Sequence, residues 1–381
     1  MADPNSLSLR SSRSAAETFT LTGDQNDDGR RRGGAFRLTS DDGTALDVQI
    51  GSDGIARCVL PYLGPDQTKA FRLEAHPDGE SDGHVHIADT GEAADITLRG
   101  ELVTRYVYAN VPARPYFYPV HAPGQIAVTR AYPMDSTVPG EMHDHPHHRS
   151  LWIAHGEVNG ADNWSEEPGH ARTIHEAFGL IDSGQVFGEM QSFSRWASAE
   201  NTPLLNQQLS VTAWATSGDL RILDFVIELN AAYGDVEFGD TKEGGILSVR
   251  VATEMDVPRT GRISNVYGGV NEAETWGKSS HWCDYSGTVG GAPSGIAVLD
   301  HPLSFRYPTH WHVRNYGLMT ANPFGYAAYT NGAKSGRHRL SQGETLSFKY
   351  RVILHQGDCQ TAKIADRYLD YVAPPRVSIS T

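Results

Sequence analysis

The chain has 381 residues, with 46 Asp and Glu against 32 Lys and Arg and a formal net charge of −14. That balance offers no basic surplus for phosphate backbones or anionic bilayers, so neither nucleic acid nor a membrane is an expected partner. No stretch approaches the ~18 apolar residues of a membrane span, and no apolar signal core follows Met1, so the expectation is a cytoplasmic protein.

Thirty-nine glycines and 20 prolines are spread along the chain, the punctuation of many turns between short strands. Cys58, Cys283 and Cys359 lack metal-ligand spacing and cannot all pair, which fits structural thiols in a reducing compartment.

Taken in order, residues 1–15 read as a disordered N-terminus. From about Thr18 to Tyr108, short alternating segments (Phe36–Leu38, Leu46–Ile50, Phe71–Glu74, His84–Ile87 and Ile96–Leu98) alternate with Asp-Gly and Ser-Asp-Gly turns. Such alternation predicts half-buried strands in hairpins, a region drawn as 16–113. A rigid Pro- and aromatic-rich connection from Arg114 to Pro133 opens the main region, 114–375. There Val186–Trp196, Leu209–Thr216, Leu220–Leu229 and Thr345–His355 predict longer strands, and Gln360–Val372 is the one convincing helix. One continuous domain is as well supported as two. The expected fold is all-β, a large antiparallel β-sandwich with one C-terminal helix.

Chemistry concentrates in Glu141 to Trp164, which holds His143, His145, His147, His148 and His155 beside Asp144, Arg149, Glu157, Asn159 and Asp162. Imidazole exchanges protons near neutral pH and is the commonest metal ligand. In an extended chain His145 and His147 would project to one side and His148 to the other. Three further clusters mix ionisable and aromatic side chains: Asp240-Thr241-Lys242-Glu243, the loop holding Trp276, Lys278, Trp282, Asp284 and Tyr285, and the stretch holding His310, His312, Arg314, Asn315 and Asn322. Rings beside charged groups suit a sugar cleft, because pyranose C–H faces stack while hydroxyls take hydrogen bonds. The expectation is that these clusters converge on one sheet face. His-x-His at 310–312 with Glu243 leaves a divalent metal open as a cofactor, although the spacing is no known metal signature. No Gly-x-Ser-x-Gly, Walker loop or dinucleotide fingerprint is present.

The stretches DHPHHRSLWIAHGEVNGADNW, GDTKEGGILSVRVA, TWGKSSHWCDYSG and FRYPTHWHVRNYGLMTANPFG, in that order, resemble the signature motifs of the bacterial PmoA-like domain family, over residues 100–355. The resemblance implies site residues at His145, His147, His148, Arg149, His155, Asn159, Lys242, Glu243, Lys278, Trp282, Asp284, His312, Arg314 and Asn322. His143 and His310 lie outside the motifs. It also implies a carbohydrate-active sandwich, of the galactose-mutarotase supersandwich kind, rather than the methane oxygenase of the family's label, which would need membrane helices.

The expected function is acid–base cleavage, by a lyase or hydrolase, of an oxidised 3-keto glycoside. His147, His148, Glu243 and Lys242 are placed as catalytic groups. His145, Arg149, His155, Asn159, Trp282, Asp284, His312, Arg314 and Asn322 are placed against substrate. A non-catalytic carbohydrate-binding protein and a metal-dependent oxygenase are the alternatives.

Overall fold

The computed structural model describes residues 6–10, 18–21, 36–60, 63, 67–75 and 84–380. Among them antiparallel strands dominate, and the longest of three short α-helices is Ile364–Val372. The all-β expectation holds. None of these helices is long and apolar enough to cross a membrane.

Two large sheets pack face to face. One runs, in spatial order, through the strands His310–Arg314, Leu318–Asn322, Gly244–Arg250, Leu151–His155, Tyr116–Ala122, Glu101–Val107, Ala93–Leu98 and Val85–Asp89. The other is built on the long strands Arg172–Asp182, Phe187–Ala197, Pro203–Trp214, Leu220–Asn230 and Thr345–Gln356, continued by Ala292–Asp300, Trp282–Val289 and Arg262–Asn265. Successive side chains of a strand point to opposite faces, so each strand feeds two environments. Phe117, Leu151, Ile153, Leu247, Val249, Met319 and Trp311 point inward and meet Tyr285, Ile296, Val298, Val352 and Leu354 of the facing sheet in the main core. The intervening residues point outward, and in the first sheet they form the candidate site.

A third, smaller sheet carries the early hairpins, Phe36–Thr39, Ala45–Ile50, Ala56–Val59 and Thr68–Ala75. Two sequence expectations change here. Ser6–Arg10, within the segment read as disordered, is a strand paired with both Thr68–Ala75 and Arg376–Ser380; residues 1–5 and 11–15 lie outside the described residues, as do the turns at 77–79 and 81–83. The chain also does not divide at 113. The Glu101–Val107 strand is hydrogen-bonded to Tyr116–Ala122 in the first large sheet, so residues 85–107 belong with the main region. The Pro- and aromatic-rich stretch from Arg114 to Pro133, read as a rigid connection, contributes the strand Tyr116–Ala122 to that sheet.

Candidate functional site: an outward histidine face

Cross-strand register places one outward row through Tyr116, Trp152, Ser248, Thr320 and His312. A second row runs Arg250, Leu318, Arg314. The histidine-rich segment folds over this face immediately before the Leu151–His155 strand. It is not extended, as the sequence suggested. The His148 N–H donates to the His145 carbonyl (3.0 Å), and His145 lies at φ 42°. Pro146, with its fixed φ, takes the second place of the turn.

The turn brings together rings that an extended chain would separate. His145 stacks on Tyr316 (5.0 Å between centroids) and on His148 (4.7 Å), and His148 stacks on Trp152 (5.3 Å). His147 meets His148 edge-on at 4.5 Å and Trp164 at 6.1 Å.

Two buried guanidinium groups hold the turn from below. Arg130 donates to the His145 carbonyl (2.8 Å), the Tyr132 carbonyl (3.1 Å) and the Asp144 carboxylate. Arg250 donates to Asp144 (2.9 Å) and to His148 Nδ1 (3.3 Å), and lies 4.8 Å from the Tyr316 ring centre. Burial opposes ionisation of Asp144, but Arg250, His145 and Arg130 outweigh it and keep its carboxyl below the usual range. Since Arg250 donates to Nδ1, His148 carries its proton on Nε2.

The imidazoles are tuned to stay neutral. Burial, reinforced by the Arg114 cation and His145, pushes His147 down to about 4. His148, 1% exposed, is held well below its ordinary value by burial and then by His147 and Arg250. His312 falls to about 3 through burial, with Arg314 and Lys242 adding to it. Trp276 donates its indole N–H to His312 Nδ1 (3.1 Å), so this imidazole too keeps its proton on Nε2.

The Lys242–Glu243 loop joins the same face. Lys242 Nζ donates to Glu243 Oε1 (2.7 Å), both half exposed. The Glu243 carboxylate lies near enough to favour protonation of His147 and to disfavour ionisation of Tyr316. Asn322 supports the loop from beneath, donating to the Thr241 and Lys242 carbonyls (3.0 and 3.2 Å). A close backbone approach seats it as well: a Cβ on Gly156 would stand 2.1 Å from the Glu243 carbonyl oxygen. Gly156→Ala is therefore expected to cost about 1–3 kcal/mol and to displace Glu243, read as a lowered Tm.

Arg149 forms a two-pronged pair with Glu166, at 2.7 Å for each bond, so its charge is already committed. Arg314 is committed likewise to Glu272 (2.6 Å).

Of the residues expected at the site, His145, His147, His148, Arg149, Lys242, Glu243, His312 and Arg314 share this face, and Asn322 braces it. Four do not. His155 points inward between Phe238 and Phe324 and donates from Nε2 to the Gly239 carbonyl (3.0 Å). Asn159 shapes a turn at φ 50°, accepting from the Glu237 N–H (2.7 Å). Trp282 and Asp284 project from the outer face of the other sheet, on the far side of the sandwich, because their strand belongs to that sheet.

Among the described residues, no group of three or more His, Cys, Asp or Glu is arranged to hold an ion. His310, meanwhile, stacks on Tyr329 (5.6 Å).

Sequence reasoning missed Arg130, Arg250, Glu166 and Tyr316 as site builders, and named Asp144 only as a neighbour of the histidines. For Arg250 a signal existed: strict alternation in Leu247-Ser248-Val249-Arg250 places Ser248 and Arg250 outward.

The tuning has a consequence for stability. His147, His155 and His312 protonate near 6.5 when unfolded but only near 3–4 when folded, so the unfolded state binds protons first as the pH falls. Their contribution is complete above about pH 6.5 and is lost as the pH drops toward 4. Denaturant midpoints should fall across that window, and ¹⁵N shifts should show these three imidazoles neutral at pH 5.5.

The model of a family of unknown function, DUF6807, matches residues 93–369. The chain belongs to this family. The matched DUF6807 region holds every residue of the histidine face and nearly all of both large sheets, and it leaves out the smaller sheet's hairpins at 36–75. The family brings no function with it, and the match carries no link to the PmoA-like motifs. No curated protein matches the chain.

Proposed function

We propose that the histidine face of this DUF6807 protein is an acid–base site that cleaves glycosides, with an oxidised 3-keto glycoside as substrate. The observation that carries this reading is the gathering of neutral imidazoles at 147, 148 and 312 with the Lys242–Glu243 pair and the Trp152, Trp164, Trp276 and Tyr316 rings. The partly exposed Trp276 and Tyr316 rings suit a sugar ring, whereas Trp152 and Trp164 are buried, and the resemblance of the motifs points to carbohydrate chemistry.

His147 is the base. It makes no side-chain hydrogen bond among the described residues, is only partly buried, and is unprotonated at neutral pH. It removes the proton from the carbon beside the ketone, giving an enolate, and the neighbouring Glu166 and Glu243 carboxylates stabilise the imidazolium that forms. Lys242 supplies positive charge where the enolate oxygen develops. As the enolate collapses, the ketone re-forms, a double bond forms toward the anomeric carbon, and the bond to the aglycone oxygen breaks. That oxygen takes a proton from an acid, the Tyr316 phenol, whose ionisation burial suppresses. His148 positions: its Nδ1 is occupied by Arg250 and its ring lies beneath the surface. His145 and His312 orient.

The test is a screen of native and 3-keto glycosides read by mass spectrometry, with and without a chelator. Released aglycone from 3-keto substrates alone supports elimination, and release from native glycosides as well points to ordinary hydrolysis. Binding without turnover would leave the aromatic rings as a carbohydrate-binding face.

A further inference from the structure

The outer face of the second large sheet, across the sandwich from the histidines, is covered at one end and open at the other. At the covered end Phe187, Trp214, Ile222 and Ile353 pack with the Ile364–Val372 helix and with Val59 of the small sheet. Gln49 Oε1 ties the small sheet down there, accepting from the Val186 and Phe187 N–H groups (3.0 and 3.1 Å). Further along the same strands the face holds a cleft of about 520 Å³. Its size falls within the roughly 300–1,000 Å³ of small-molecule sites.

Register sets Phe193, Gln208 and Glu228 side by side on three neighbouring strands, with Asn206 and Asn230 in the row beside them. All five line the cleft. Strands lie about 4.8 Å apart, so the first row spans about 10 Å. These side chains reach solvent: Phe193 is 37% exposed, and the other four are half-buried. The Phe193 ring lies across Gly179 of the adjoining strand, where a Cβ would stand 2.5 Å from Phe193 Cε2. A side chain at 179 would displace the ring.

The polar groups of the row are available. Among the described residues, Gln208 and Glu228 make no side-chain hydrogen bond. The Tyr233 hydroxyl donates to Asn206 Oδ1 (2.8 Å), leaving the Asn206 NH₂ without a partner among them. No Lys or Arg lines the cleft, and the nearby Arg195 is committed to Glu176 (3.0 Å), so an anionic ligand would find no counter-charge. An exposed ring offers a platform for the C–H face of a pyranose. Primary amides both donate and accept, and a carboxylate accepts from hydroxyls. A cationic amine would use the carboxylate and the ring but not the amide donors.

We propose that this cleft binds a neutral carbohydrate of mono- to disaccharide size, one ring stacked on Phe193 and its hydroxyls bonded to Gln208, Glu228 and Asn206. The site is separate from the histidine face and does not depend on the function proposed for it.

The test is calorimetric titration of cellobiose, maltose and lactose into the native full-length protein, with choline as the cationic control. At least one disaccharide should bind, and choline should not. Phe193→Ala should weaken that binding at least several-fold and Glu228→Gln should weaken it too, while His147→Ala should leave it as it is. Both cleft substitutions change solvent-facing side chains, so Tm should stay close to that of the wild type. Should Phe193→Ala lower it, Gln208→Ala, which leaves the ring in place, decides instead. No binding of any of the three sugars would overturn the proposal. So would binding undiminished by the cleft substitutions, binding lost in His147→Ala, or choline bound in preference.

Discussion

His147→Ala should reduce turnover of a 3-keto glycoside by ~10²–10⁴-fold, the usual consequence of removing a general base, with the circular dichroism spectrum unchanged. The fold should survive because His147 is the least anchored ring of the cluster: it meets His148 and Trp164 by its edge and, among the described residues, makes no side-chain hydrogen bond. Glu243→Gln should cost less, since it removes a charge that favours the imidazolium but leaves the base in place. The pH profile is the sharper signature. A base must be unprotonated, and His147 protonates only at about 4, so kcat/KM should fall as the pH drops through about 4 and stay level across the range where an ordinary histidine titrates. An acid limb near 6.5 would assign the base elsewhere.

Asp144→Asn should be the most damaging single change to the site's framework. Asp144 is the carboxylate shared by Arg130 and Arg250, whose side chains are both completely buried. Neutralising it leaves two buried guanidinium groups with only the Glu141 and Asp256 carboxylates to balance them, and each already depresses protonation of groups beside it. Breaking a buried ion pair by removing one partner typically costs about 3–5 kcal/mol; since Asp144 itself is partly exposed, the lower end is expected, about 3 kcal/mol. The turn carrying His145 and His148 should loosen along with it. Arg130→Met added to Asp144→Asn should recover part of the stability, because it removes one of the two stranded charges. Denaturant unfolding of the two variants measures both effects. Recovery in the double variant is the outcome that a simple packing defect would not produce.

Much of this was legible in the sequence. Alternation located most of the hairpin strands and the long strands from 187 to 230, and the helix read at Gln360–Val372 is present but begins only at Ile364. The convergence of 145–149, 242–243 and 312–314 was also expected, because motifs dense in ionisable groups are poor core material and have to share a surface. What failed did so for physical reasons. His155 and Asp284 look like site residues by type, but each is buried, with His155 bonded to a backbone carbonyl and Asp284 to His355, and composition does not distinguish a satisfied buried imidazole from a reactive one. Trp282 sits in a motif beside Trp276, yet the chain crosses from one sheet to the other between them: Gly277 and Ser280 bond to the strand at 309–311, and Trp282 begins a strand of the opposite sheet. The supporting Arg130 and Arg250 act on Asp144 from 14 and 106 residues away, a pairing that only the register of the sheet creates.

The most direct measurement of the central claim is solvent exchange. Wild-type protein and His147→Ala are incubated in D₂O with a 3-keto glycoside, and deuterium at the carbon beside the ketone is followed by NMR together with aglycone release. Wild type should incorporate deuterium and release aglycone, and His147→Ala should do neither at a comparable rate. Equal exchange and release in the two proteins would contradict the assignment of this face as the acid–base site.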